Sequence, residues 1–219
     1  MTVSPSPSPV IVDNMVLVMF VDSGMAALLP ALAGGRVYVS PSILDAAETA
    51  EGCEPISEFM KGLSRFRRLD DDLSRLRLER RQDFLGQSAA LWQPATPTLA
   101  ELQLAHELTK RETRARAKAQ NTALRIARVD PGEAEAAALA ITRGWTFWSD
   151  DNGIVPLIRT LYPAVTLERT CALVARAVNE RLLSWVEGHQ LFEGTFKGQL
   201  DLHTTARLVW EAGEAKCVV

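Results

Sequence analysis

Residues 130–152 read DPGEAEAAALAITRGWTFWSDDN, a helix, a sharp stop, a strand and an acidic turn in succession. Asp130 is placed to act as N-cap and Pro131 as the first helical residue, where a missing N–H costs nothing. Glu133, three places after the cap, completes a capping-box pair, so Asp130 and Glu133 both have structural reasons to be there. The alanine-rich helix continues to Arg143, and Gly144 closes it in the C′ position. Trp145 to Trp148 then predict a strand that ends in Ser149-Asp150-Asp151-Asn152-Gly153. Its aromatics read as core, with base stacking the less favoured alternative.

Toward the N-terminus, Val10-Ile11-Val12 and the run Met15 to Val21 are apolar on both faces, as expected of a central strand buried between helices, with Asp13 interrupting it. The Gly34-Gly35 turn leads to a second strand, Val37-Tyr38-Val39. Ser40-Pro41 then starts a helix expected from Pro41 to Glu51, carrying Asp45 and Glu48. Residues 54–127 read as helical over Ile56–Leu69, Leu73–Leu85 and about Thr98–Arg128, with breaks near Gly86 and at Pro94 to Pro97. In the last of these, Leu104, Leu108, Ala115, Ala119, Thr122 and Ile126 share one face. Arg111, Arg114, Lys118 and Arg125 form a separate basic stripe, which is either a solvated face or a nucleic-acid contact.

Beyond the acidic turn, the pattern predicts a helical turn at Ile154 to Leu161, a short strand at Ala164 to Thr166, and an amphipathic helix from Leu167 to Val186. The resulting organisation is a Ser/Pro tail over residues 1–9, an α/β domain over 10–190 with a helical insertion at about 52–128, and a helical extension over 191–219. Strands alternating with helices imply a parallel sheet covered on both faces, a three-layer α/β fold.

The chain has 219 residues, 47% of them hydrophobic and 23% charged, which excludes a largely disordered or fibrous protein. A formal charge of −3 means that a nucleic acid would have to be held by a local basic patch. Cys53, Cys171 and Cys217 fit neither a disulfide framework nor a zinc spacing, which points to a reducing, cytoplasmic setting. The apolar stretch Val10 to Leu32 is broken by Asp13, Asn14 and Asp22, so neither a signal peptide nor a membrane span is expected.

In open α/β sheets ligands bind outside the carboxyl ends of the strands. This chain sends acids there: Asp13 after the first strand, Asp45 one turn into the helix after the second, and Asp150-Asp151 after the aromatic strand. Glu135, in the first turns of the helix before that strand, is a fourth. His106, His189 and His203 lie in separate segments without partners at ligand spacing, and no nucleophile elbow, phosphate loop or dinucleotide fingerprint occurs. Carboxylates gathered without intervening Lys or Arg either hold protons or recruit a cation, and hard oxygen donors select Mg²⁺ or Mn²⁺. Such ions suit phosphodiester hydrolysis. Each acid also has an ordinary reading as a cap or turn residue, weakest for Asp13 in its apolar surroundings.

VIVDNMVL, VYVSPSILDAAE and DPGEAEAAALAITRGWTFWSDDN together resemble the PIN-domain nucleases, especially the toxin ribonucleases of bacterial toxin–antitoxin pairs, over roughly residues 10–50 and 128–190. The resemblance implies a parallel sheet of four or five strands, an acid cluster binding Mg²⁺ or Mn²⁺, and hydrolysis of single-stranded RNA. Position by position, the catalytic and metal-binding acids fall on Asp13, Asp45 or Glu48, Glu135, and Asp151 or Asp150, with Ser149 the hydroxyl that orders the last of them. It also implies a small antitoxin protein as partner. Homodimers are common in the family; the apolar face from Leu167 to Trp185 could serve one, core packing explaining it equally well. Asn14 and Met15 stand where a hydroxyl residue and Asn or Ser usually follow the first aspartate, and Asn152-Gly153 replaces the usual Arg after the final acids. Two readings follow: a metal-dependent endoribonuclease with Arg111, Arg114, Lys118 and Arg125 on RNA phosphates, or a PIN-like module that binds RNA or protein without cutting. A DNA nuclease is a weaker third.

Overall fold

A computed structural model describes residues 8–44, 46–47, 56–57, 59–60, 72–87, 90–188 and 191. Five strands form one parallel sheet in the order β5-β2-β1-β6-β7: β1 is Val10–Val12, β2 Val37–Val39, β5 Trp92–Pro94, β6 Thr146–Trp148 and β7 Leu167–Glu168. The central strand β1 pairs with β2 (Val12 beside Val39) and with β6 (Val12 beside Trp148), so their carboxyl ends finish side by side. β3 (Ala46–Ala47) and β4 (Ile56–Ser57) make a separate antiparallel pair.

Strand alternation divides the core. Ile11 and Phe147 face a cluster containing Ala134, Ala136–Ala140 of α7 (Pro131–Arg143), Ala105 and Leu108 of α5 (Leu99–Thr109), and Ile154, Leu157 and Ile158 of α8 (Ile154–Leu161). The small alanines let α7 lie close to both the sheet and α5. On the other side of the pleat are Val10, Val12, Val37 and Val39, all buried. α2 (Leu28–Ala33) packs on β2, and α1 (Asn14–Asp22) packs on α4 (Asp72–Gly86). The result is the expected three-layer α/β arrangement.

α7 begins and ends as its sequence dictates. Asp130 and Glu133 exchange both capping-box bonds, and Gly144 takes the left-handed conformation with φ 65°. Glu101 ties the layers together: it completes a capping box with Thr98 and accepts from Arg143 Nε at 2.7 Å and from Thr142 Oγ1 at 2.8 Å. The Arg143 guanidinium beside it holds the Glu101 carboxyl well below the usual carboxylate range. That contribution to stability is present at neutral pH and lost as acid approaches the depressed value. Glu101→Ala is expected to lower unfolding free energy by about 2 kcal/mol in urea melts at pH 7, since Arg143 stays partly solvated, and by less near pH 3. A second clamp joins α1 to α4, where the almost fully buried Arg81 reaches both Asp22 carboxylate oxygens at 2.7 Å.

Several expectations are corrected. Met15 to Val21 is helix α1, not strand; five of its residues are buried, and the less buried face carries the apolar Met15 and Val18, which hides the helical period in the sequence. Asp13 therefore sits at the end of β1 as the α1 N-cap residue. The helix expected over Pro41–Glu51 is a single turn, α3 (Pro41–Leu44), before β3. Ile56 opens β4 and not a helix, and Trp92–Pro94, running into the break expected at Pro94 to Pro97, is edge strand β5; its Pro is tolerated at the sheet margin. The long helix breaks at Lys110 into α5 and α6 (Arg111–Gln120). The buried positions change phase there, from Ala105 and Leu108 to Thr113 and Ala117, leaving Ala115 and Ala119 exposed. Neither Gly nor Pro marks the break.

The chain forms two compact units, Met1–Leu167 and Glu168–Val219. In the second, α9 spans Thr170–Asn179 only, shorter than the Leu167–Val186 helix expected, and Arg181 at φ 60° follows it. Cys171 in α9 is disulfide-bonded, so the cysteine pattern does not argue for a reducing compartment. Among the described residues, no helix is long and apolar enough to cross a membrane. The expected 1–9 tail, apart from residues 8 and 9, and all of the 191–219 extension except Leu191 lie outside the described residues.

Candidate acidic site at the carboxyl edge of the sheet

Adjacent parallel strands β1 and β6 deliver their following residues to one place. The Asp13 N–H donates to the Trp148 carbonyl at 2.9 Å, continuing the ladder one step past β1. On the next residue of the neighbouring strand, Ser149 Oγ donates to Asp13 Oδ2 at 2.6 Å, and both side chains are fully buried. The Asp13 carboxylate makes no capping bond to α1. Ser149 Oγ also accepts the Asp151 N–H at 3.2 Å, so one hydroxyl orders both acids.

Asp151 is held by its own turn: Oδ1 accepts the N–H groups of Gly153 at 2.6 Å and Ile154 at 2.7 Å. The local Asp-x-Gly sequence explains this, because a short acid caps the start of α8 and Gly153 leaves room for it. A Cβ at Gly153 would lie 2.7 Å from the Arg128 carbonyl oxygen and 2.9 Å from Asp151 Oδ1. Asp150 is buried in the same loop.

The third acid is Glu133. It is buried at the start of α7, with Oε2 accepting the Asp130 N–H at 3.1 Å. Burial pushes its carboxyl up to about 9, reinforced by the charges of Asp13, Asp151 and then Asp130. Capping and clustering are not exclusive: one oxygen can cap while the carboxyl stands in the field of the other acids.

Glu135 does something else. It accepts hydrogen bonds from the hydroxyls of Ser40, fully buried just after β2, and Ser42 in α3. The two-residue step, about half a helical turn, places Glu133 and Glu135 on different sides of α7. The structure thus brings Asp13, Ser149, Asp151 and Glu133 together and sets Glu135 against the β2 end. Asp45 and Glu48 lie outside the described residues.

No known protein family, curated protein or solved structure matches the chain. The site therefore rests on its own chemistry. Its donors are hard carboxylate oxygens, and without a cation Glu133 relieves their repulsion by keeping a proton. A divalent ion supplies the same relief, so the donor chemistry fits Mg²⁺ or Mn²⁺. Among the described residues, no group of three or more His, Cys, Asp or Glu side chains is placed to hold a metal ion.

The basic stripe is divided by the fold. Arg111 and Lys118 are exposed on α6, whereas the Arg114 guanidinium turns back to the Thr109 carbonyl at 3.3 Å. Arg125 is exposed in the irregular segment after α6. Phe147 and Trp148 are fully buried, as the core reading of the aromatic strand expects.

Proposed function

We propose that this protein is a Mg²⁺- or Mn²⁺-dependent endoribonuclease, the toxin of a toxin–antitoxin pair whose antitoxin is a small protein. The observation that carries the reading is the meeting of Asp13 and Asp151 on one Ser149 hydroxyl at the carboxyl ends of adjacent parallel strands β1 and β6, with Glu133 at the start of α7 in the field of both acids. Asp13, Asp151 and Glu133 would hold the metal. When bound, it would lower the pKa of a water and offset charge building on the phosphate oxygens.

The chain's own residues would supply the rest. Ser149 fixes the Asp13 carboxylate and the Asp151 backbone, and the turn at Gly153 commits one Asp151 oxygen while leaving the other for a ligand. Glu135 steadies the β2 end through Ser40 and Ser42. Arg111, Lys118 and Arg125 provide exposed positive charge for RNA phosphates, with Arg114 contributing to that helix face. The resemblance favours RNA over DNA.

A second reading, a PIN-like module that binds RNA or protein without cutting, is favoured by Asn14 and Met15, which remove hydroxyl support next to Asp13. Incubating labelled single-stranded RNA and DNA with the purified chain in Mn²⁺, Mg²⁺ or EDTA tests the proposal. Metal-dependent cleavage of RNA is expected, together with thermal stabilisation by Mn²⁺ of about 2–3 kcal/mol at a hundredfold excess over Kd. No cleavage and no metal-induced shift would leave the binding-module reading in its place.

A further inference from the structure

We propose that Arg128 is the residue that holds a backbone phosphate of the nucleic acid at the rim of the acidic site, an inference that rests on the nuclease reading of that site. Arg128 lies in the irregular segment between α6 and α7, away from the regular basic stripe. Its backbone is nevertheless tied to both acid-bearing elements. The preceding Ala127 donates its N–H to the Asn152 carbonyl at 3.2 Å, and the Arg128 carbonyl packs so tightly on Gly153 that a Cβ there would lie 2.7 Å from it. The following Val129 is buried, and Asp130 caps the helix that carries Glu133. Rigid packing thus fixes this arginine between the Asp151 turn and the start of α7.

Its side chain is exposed, and among the described residues it makes no salt bridge. A polyanion approaching buried carboxylates meets repulsion, which a fixed cation at the rim offsets. Arginine suits the task, since its planar fork binds two phosphate oxygens at once.

The test compares the full chain with Arg128→Ala and Arg128→Lys, using a fluorescein-labelled unstructured RNA. Binding is measured in EDTA across a salt series, and cleavage in Mn²⁺. Arg128→Ala is expected to weaken binding about tenfold and lower the log Kd against log salt slope by about one, with Arg128→Lys intermediate. In cleavage the loss should fall on KM more than on kcat, while the Mn²⁺-induced thermal shift stays intact. Unchanged affinity and slope in Arg128→Ala would overturn the inference even if the protein cuts RNA. Should the wild type fail to cut while Arg128→Ala still loses affinity, the phosphate contact stands and the hydrolytic reading falls.

Discussion

Asp13→Asn is expected to reduce Mn²⁺-dependent RNA cleavage on the order of 10³-fold while the protein stays folded. The substitution preserves shape, and the asparagine carbonyl can still accept the Ser149 hydroxyl that the aspartate takes at 2.6 Å. What disappears is one negative charge in a fully buried position. For a merely structural aspartate this change would be neutral or slightly favourable, because a buried charge is costly to keep. For a metal ligand it removes the main attraction for the ion, so activity and Mn²⁺-induced stabilisation should vanish together. Wild type and variant must be purified and assayed in parallel, with EDTA controls, to exclude a contaminating ribonuclease. Equal Mn²⁺-dependent cleavage by both proteins would sink the assignment of Asp13.

The contrast between what was and was not legible follows from how each signal is encoded. α7 and β6 announce themselves, because Asp130-Pro131, Gly144 and the aromatic run each act through local backbone geometry. Asp13 was legible as an anomaly in an apolar run, although the run beyond it is a helix. Met15 and Val18 put apolar side chains on the less buried face of α1, which leaves no hydrophobic period to distinguish helix from strand. β5 hid for a different reason: three residues ending in Pro94 become a strand only because β2 offers its edge. The break at Lys110 depends on tertiary packing, through the phase shift from Leu108 to Thr113, and no local breaker records it. Glu133 was legible only in its capping role. That its carboxyl also stands in the field of Asp13 and Asp151 is a nonlocal fact, set by the antiparallel run of α7 beside β6. The hydrogen bonds that Glu135 accepts from Ser40 and Ser42, beyond the end of β2, are equally nonlocal.

Glu133→Gln is expected to make the protein more stable at pH 8 in EDTA and inactive in Mn²⁺. The sign follows from linkage. In the unfolded chain this carboxyl ionises near its ordinary value of 4.5, whereas in the fold burial and the charges of Asp13 and Asp151 hold its proton to about 9. Below the lower value it is protonated in both states and pH has no effect through this group. Between the two, the folded state binds the proton that the unfolded state has released, so stability falls as pH rises, by up to about 1.4 kcal/mol per unit. Glutamine is the neutral form made permanent, and it retains the capping geometry, since Gln serves at that helix position as Glu does. Thermal melts in EDTA should therefore coincide for the two proteins near pH 4.5 and diverge toward pH 8, the variant melting several degrees higher. Added Mn²⁺ should reverse the order: the wild type exchanges its proton for the ion and gains stability, and the variant has neither a charge to offer nor a proton to release. A structural Glu133 would give the first divergence without the reversal. Identical melts at every pH would mean that the carboxyl is not held protonated in the fold. Stability in the metal-free protein and capacity for the metal thus oppose each other at one residue, the relation expected where a site keeps a charge that the fold alone would discard.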